Sequence, residues 1–170
     1  MPRRFLILSA AAMLAACAAE YVPKGEPSFY RNLTQPGAEL DAGAAASMIS
    51  GYRINNGLEA VTLDPELMRL AQEQARAMAA RNKLDHDTKG PFTGRLKAAG
   101  YEAKTAAENI SAGYHTLAEA FSGWRDSPPH RANMLLKGAT RMGIAAVYAP
   151  NTKYRVFWAM IIAQPDDRKS

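Results

Sequence analysis

The stretch Trp124-Arg125-Asp126-Ser127-Pro128-Pro129-His130-Arg131-Ala132-Asn133 decides how this chain is read. Leu117, Ala120, Phe121 and Trp124 fall on one side of a helix predicted from about Thr116 to Asp126, and this assigns Trp124 to core packing rather than to ligand stacking. Each proline of Ser127-Pro128-Pro129 disfavours α conformation in the residue before it, so the helix is predicted to stop there. Ser127 then caps a turn that presents His130. Two earlier pieces carry the same kind of chemistry: Leu84-Asp85-His86, and Ala107-Glu108-Asn109. Imidazoles near a carboxylate can bind a divalent cation or move protons, because a neutral ring nitrogen offers a lone pair and the carboxylate favours the charged form.

Working outward from this stretch, helical spacing recurs upstream. Asp41 can cap a helix bearing Ala45, Met48, Ile49 and Tyr52, closed by Asn55-Asn56-Gly57. Asp64 and Pro65 begin a second helix, in which Leu67, Leu70, Ala71, Gln74, Ala75 and Met78 form one stripe with Gln74 as its polar exception. That helix runs out near Asn82, which places His86 just beyond its end. Phe92, Leu96 and Ala99 suggest a short third helix closed by Gly100, and Thr105 to Tyr114 reads as an extended piece holding Glu108. Downstream, two strands are predicted, Arg141 to Ala149 and Tyr154 to Ala163. The nearly unbroken apolar run from Phe157 to Ala163 fits a strand covered on both faces. Helices around a small, mostly antiparallel sheet give an α+β class.

The N-terminus reads as an address. Arg3 and Arg4 precede an apolar core from Phe5 to Leu14, too short for a membrane span, and Leu14-Ala15-Ala16-Cys17 follows. This resembles the lipobox of bacterial lipoproteins, which implies a signal peptide over 1–16, cleavage before Cys17, and lipid attachment there. More than one acyl chain would then anchor the protein stably to a membrane. Ala18 resembles the outer-membrane case, on the periplasmic side, in a diderm host. Cys17 is the single cysteine, so no intrachain disulfide forms and the core must hold the fold. Residues 17–40, interrupted by Pro23, Gly25, Pro27, Pro36 and Gly37, read as a tether, although Tyr21, Phe29, Tyr30 and Leu33 mark places where it can dock. Residues 41–165 form one domain and 166–170 a polar tail. The formal charge of +5 falls by two when Arg3 and Arg4 leave; with no basic block interleaved with aromatics, no nucleic-acid partner is expected.

From about Met48 to Gln164 the chain resembles the bacterial CAP superfamily (cysteine-rich secretory, antigen 5 and pathogenesis-related proteins), also called the SCP domain. The resemblance rests on Ile54-Asn55-Asn56-Gly57-Leu58, Leu84-Asp85-His86, Gly94 to Tyr101, Ala107-Glu108-Asn109-Ile110, Gly123-Trp124, Ser127 to Leu135, and Met142-Gly143-Ile144-Ala145, taken in order. It implies a three-layer α-β-α sandwich with a cleft over the sheet that holds two histidines and two acidic residues, and in some members zinc. His86 and His130 match the histidines, and Glu108 the glutamate of the Glu-Asn motif. The second glutamate is replaced by Ser127, a departure from the pattern.

These residues leave several chemistries open. His86, His130 and Glu108 can hold Zn²⁺ with water in the fourth position, or they can form a polar network tying two halves of the fold together. Asn109 is expected to anchor backbone through its amide, Arg95 and Arg131 to pair with nearby acids or carbonyls, and Ser127 to support the cleft. Ser127 with His130 also has the form of a nucleophile and its base, against which the sequence offers no third group and no oxyanion donor. The expected function is therefore a lipid-anchored binding or envelope-associated module for a small-molecule, lipid or envelope ligand. The alternatives are a metal- or His/Glu-dependent hydrolase of peptides or envelope polymers, with His86, Glu108 and His130 as catalytic candidates, and a lipid or sterol carrier.

Overall fold

The structure, a computed structural model, describes residues 25–166. The expected signal segment, Cys17 and the start of the expected tether lie outside the described residues, as do residues 167–170 of the expected tail. Asp41 caps helix α1 (Ala42–Asn55), its carboxylate accepting from the Ala44 amide. Strand β1 (Thr62–Leu63) leads into helix α2 (Pro65–Arg81), where Asp64 accepts from two amides and Asn82 closes the end in the left-handed conformation. Helix α3 (Phe92–Ala98), strand β2 (Ala103–Ala112) and helix α4 (Leu117–Asp126) follow. Thr116 and Glu119 make a reciprocal capping box at the start of α4, which satisfies two orphan donors. Helix α5 (Pro128–Met134) and strands β3 (Arg141–Tyr148) and β4 (Val156–Pro165) complete the domain.

The strand order is β1-β3-β4-β2. β4 pairs antiparallel with both β2 and β3, and the short β1 adds in parallel to β3. Every residue of β4 from Val156 to Ala163 is buried, and successive side chains serve opposite faces of the sheet. Val156, Trp158, Met160 and Ile162 join one core with Ala45 and Ile49 of α1, Leu117, Ala120 and Trp124 of α4, and Met134 of α5. Phe157, Ala159, Ile161 and Ala163 join the other, with the apolar stripe of α2 and Leu96 of α3. One central strand thus holds two helical layers apart, and the α-β-α sandwich follows from its alternation. Among the described residues, no helix is long and apolar enough to cross a membrane.

Three features depart from the sequence reading. The residues after Ser127 form a helix where a turn was expected, because proline is tolerated in a first turn whose amides have no intrahelical partner. β1 was not foreseen, two residues being too few to show a period. Part of the expected tether, finally, lies on the domain. Leu33 is 5% exposed within the α1-side core, its amide donates to the His115 carbonyl at 2.8 Å, and Ser28 Oγ donates to Asp41 Oδ2 at 2.7 Å.

Candidate functional site

The site is built around two consecutive residues of β2. A strand sends neighbouring side chains to opposite faces, so Glu108 and Asn109 reach different helical layers. Glu108 lies opposite Ile161, which belongs to the α2-side core, and Asn109 lies opposite Met160, which belongs to the α1-side core. Because β2 is an edge strand, both layers can bring polar groups around its rim.

On the α2 side, Glu108 is a carboxylate with 1% side-chain exposure. Oε2 accepts from Arg95 Nη2 at 2.7 Å and Oε1 bonds His86 Nδ1 at 2.8 Å. Arg95, itself nearly buried on α3, also donates through Nε to the Gly90 carbonyl, and its guanidinium lies over the Phe92 ring. His86 sits on the loop that leaves α2, with half of its side chain in solvent. Gln74, the polar exception in the α2 stripe, fixes that loop. Its Nε2 donates to the carbonyls of Asp85 and His86, and its Oε1 accepts from the buried Thr88 hydroxyl.

On the other side, Asn109 is fully buried and donates to the His130 carbonyl at 3.0 Å, as its expected role of anchoring backbone requires. Its Oδ1 accepts from Asn133 Nδ2 at 2.9 Å, and Asn133 also reaches the Glu108 carbonyl. α5 is thus pinned to β2 from both ends of a Glu-Asn pair. His130 Nδ1 bonds Ser127 Oγ at 2.9 Å, at the N-cap position of the same helix. Burial first, and then the charge of His86, hold the His130 imidazolium below its usual range. The Nδ1 atoms of the two imidazoles are tied to different partners.

The fold brings His86, Glu108 and His130 to one rim, and only His86 bonds Glu108 directly. Among the described residues, no three or more His, Cys, Asp or Glu side chains are grouped to hold a metal ion. Both Glu108 oxygens are engaged, so the arrangement differs from a three-ligand shell. It presents two imidazoles whose Nδ1 atoms are oriented by Glu108 and Ser127, the outer-shell geometry that leaves Nε2 as the donor. Ser127 makes no cap bond to the α5 backbone. Its hydroxyl partners His130 instead.

Two further residues act here without having been singled out in sequence. Arg53 is 0% exposed and donates to the carbonyls of Glu59, Met134, Leu136 and Ala139, which ties α1 to the turn that ends α5. A lone arginine on an amphipathic helix reads as surface, so nothing local announces it. Asn133 had a weak signal, its position three residues after His130 on what proves to be a helix. Asp126 pairs with Arg125 in solvent, and Arg131 reaches the Arg125 carbonyl at 3.4 Å. Neither bonds a histidine side chain among the described contacts.

An uncharacterized protein of Bacillus subtilis (strain 168), YkwD, is 33% identical to this chain over 102 residues, 59% of this chain and 40% of that protein. An outer surface protein from Borrelia burgdorferi has the same fold, with a TM-score of 0.67 at 16% identity over 74% of this chain and 93% of its own. An extracellular protein containing an SCP domain from Bacillus anthracis str. Ames gives a TM-score of 0.63 at 22% identity, over 72% of this chain and 39% of its own. Residues 46–162, well over half of the chain, match the cysteine-rich secretory protein (CAP) family, and the chain belongs to that family.

Proposed function

We propose that this protein is an exported, lipid-anchored envelope protein whose CAP domain binds its ligand at the rim of β2 without cleaving it. The observation that carries the reading is the engagement of both Glu108 oxygens, by Arg95 and by His86, in a position closed to solvent. A general base must reach the proton it takes, and this carboxylate is held as an internal counter-ion. Export and anchoring are supported by the lipobox-like Leu14-Ala15-Ala16-Cys17 and by the extracellular and outer-surface descriptions of the two structural relatives.

A divalent cation such as Zn²⁺, where one binds, would be held by the Nε2 atoms of His86 and His130, with Glu108 and Ser127 orienting the rings. It would supply an open Lewis-acid position for a ligand oxygen. Calorimetric titration of zinc into purified protein is expected to give heat that disappears in His86→Ala/His130→Ala; equal heats from both proteins would remove the cation from the reading.

One observation favours a hydrolase instead, the 2.9 Å contact of Ser127 Oγ with His130 Nδ1. Against it, no carboxylate contacts His130 among the described residues, so the imidazole has no orienting acid. Turnover of peptide or envelope-polymer substrates that vanishes in Ser127→Ala or Glu108→Gln, with folding intact, would replace the binding reading. Retention on insoluble envelope polymer that weakens in His86→Ala/His130→Ala, with no soluble product released, is the result expected here.

A further inference from the structure

Arg95 faces a second environment besides the histidine rim. A cavity of about 470 Å³ lies between α2 and α3, and neither His86 nor His130 lines it. Arg69, Arg81, Lys89 and Arg95 contribute four cations to its wall against one carboxylate, Glu73, beside the Thr88 hydroxyl and three apolar residues. These cations are unequally matched. Arg69 is held by Glu66 and Glu73 in solvent, and Thr88 spends its hydroxyl on Gln74. Arg81 and Lys89 are exposed and make no hydrogen bond or ion pair among the described residues. Asp85 lies within charge reach of Arg81, but its own bond goes to Lys83.

Arg95 is the second, independent sign. Its side chain is 8% exposed, its Nη2 is given to Glu108, and its Nη1 is closed to solvent with no acceptor. A buried guanidinium nitrogen without a partner is uncommon, since burial removes the water that would otherwise accept from it. The residue that carries this orphan donor lines the cavity where the two unmatched cations also stand.

We propose that this cavity binds a phosphoryl group, carried by a small phosphate ester or by a phospholipid headgroup. The cations come from three places: the end of α2, the loop at Lys89, and α3. Two of them, Arg81 and Lys89, have no bonded acid partner among the described residues, more positive charge than a single carboxylate would neutralise. A carboxylate offers two oxygens in one plane, whereas a phosphoryl group offers three in a tetrahedral array and carries a charge of about −1.5 to −2 near neutral pH. Guanidinium groups match such oxygens in pairs, and a lysine adds a point charge. The volume suits a ligand of sugar-phosphate or headgroup size. Because Arg95 also holds Glu108, which holds His86, an anion seated here adjoins the histidine rim through a single side chain.

The test avoids Arg95, whose loss would strip Glu108 of its cation, and uses the exposed pair. Inorganic phosphate and glycerol 3-phosphate are titrated into the isotope-labelled protein at about 0.15 M ionic strength, where exposed charges are screened beyond about 8 Å. In a second arm, the protein is sedimented with phosphatidylglycerol or phosphatidylcholine vesicles. Saturable shifts are expected at the Arg95 Nε–H and the Lys89 amide, with a response at the His86 ring. Arg81→Ala/Lys89→Ala should weaken binding by about tenfold or more while leaving the circular dichroism unchanged. Saturation by the soluble compounds identifies a soluble ester as the source. Sedimentation with phosphatidylglycerol alone, lost in the double variant, identifies a headgroup. No saturable response in either arm, or one undiminished in the double variant, overturns the proposal.

Discussion

At the scale of single residues, the site is two neighbours on one strand facing opposite ways. Glu108 is the costlier of the two to remove. Without it the Arg95 guanidinium, 8% exposed, loses its only anion among the described contacts, and breaking a buried pair from one side typically costs about 3–5 kcal/mol. Glu108→Ala is therefore expected to lower the unfolding free energy measured in urea by an amount of that order, and removing Arg95 as well should recover part of it. His130 makes a prediction in pH. Its imidazole takes up a proton near pH 6.5 in the unfolded chain and only at lower pH in the folded protein. Between the two, the unfolded state binds more protons, so this contribution is intact above about pH 6.5 and is lost as the pH falls. His130→Asn should flatten that decline. In an NMR titration, His86→Ala should move the His130 midpoint upward, because it removes the second of the two causes and leaves burial, the larger, in place. These residues were visible in the sequence through their place in family motifs. Their bonds were not, since spacing along the chain says nothing of which imidazole meets the carboxylate.

At the scale of elements, α2 lies hard against β3 at Gly143. A methyl group at Gly143 would fall 2.1 Å from the Leu67 carbonyl carbon and 2.3 Å from its oxygen and the Met68 nitrogen. All three are backbone atoms, which cannot swing aside as a side chain can. Gly143→Ala is thus expected to push the helix off the sheet and to destabilise by roughly 3 kcal/mol or more, at or beyond the upper end of ordinary overpacking. Gly51 is the internal control. It lies in α1 with nothing within 4 Å of an added methyl, and Gly51→Ala should be neutral or stabilising by about 0.5–1 kcal/mol through helix propensity. Thermal melts of the two variants, moving in opposite directions or only one moving, check the contrast. Helices α1 and α2 were readable because a cap, a stripe and a terminator agreed, and α3 and α4 because a stripe and a terminator did. Helix α5 was not, because two prolines usually stop a helix and only the free first turn after Ser127 lets them start one. In the same way Gln74 read as a defect in an apolar stripe. Its reason lies eleven and more residues away, in the loop carbonyls it holds.

At the scale of the whole molecule, the parts the sequence hid are those joined over long distances. Arg53 reaches carbonyls up to 86 positions away, and no local pattern encodes such a partner. The segment before Asp41 belongs to the same class. Its prolines and glycines predict an irregular chain, yet Ser28–Tyr30 form a short 3-10 turn, and such residues are silent on whether the segment lies against anything. Leu33 is 5% exposed, and Phe29, Ala38 and Leu40 pack partly against the same core. Full burial of a leucine side chain contributes about 1.5–3 kcal/mol, and the bond from the Leu33 amide to His115 adds about 1 kcal/mol. A chain beginning at Asp41 should therefore be less stable than one beginning at Gly25 by about 3 kcal/mol, with the α1-side core losing cover. It should also lose the Ser28 hydroxyl that accompanies the Asp41 cap. Urea unfolding of the two chains decides whether these residues act as structure or as spacer. A lower midpoint for the shorter chain, together with faster amide exchange at the start of α4, assigns them to the domain. Equal midpoints would return the whole of 17–40 to the role of a tether.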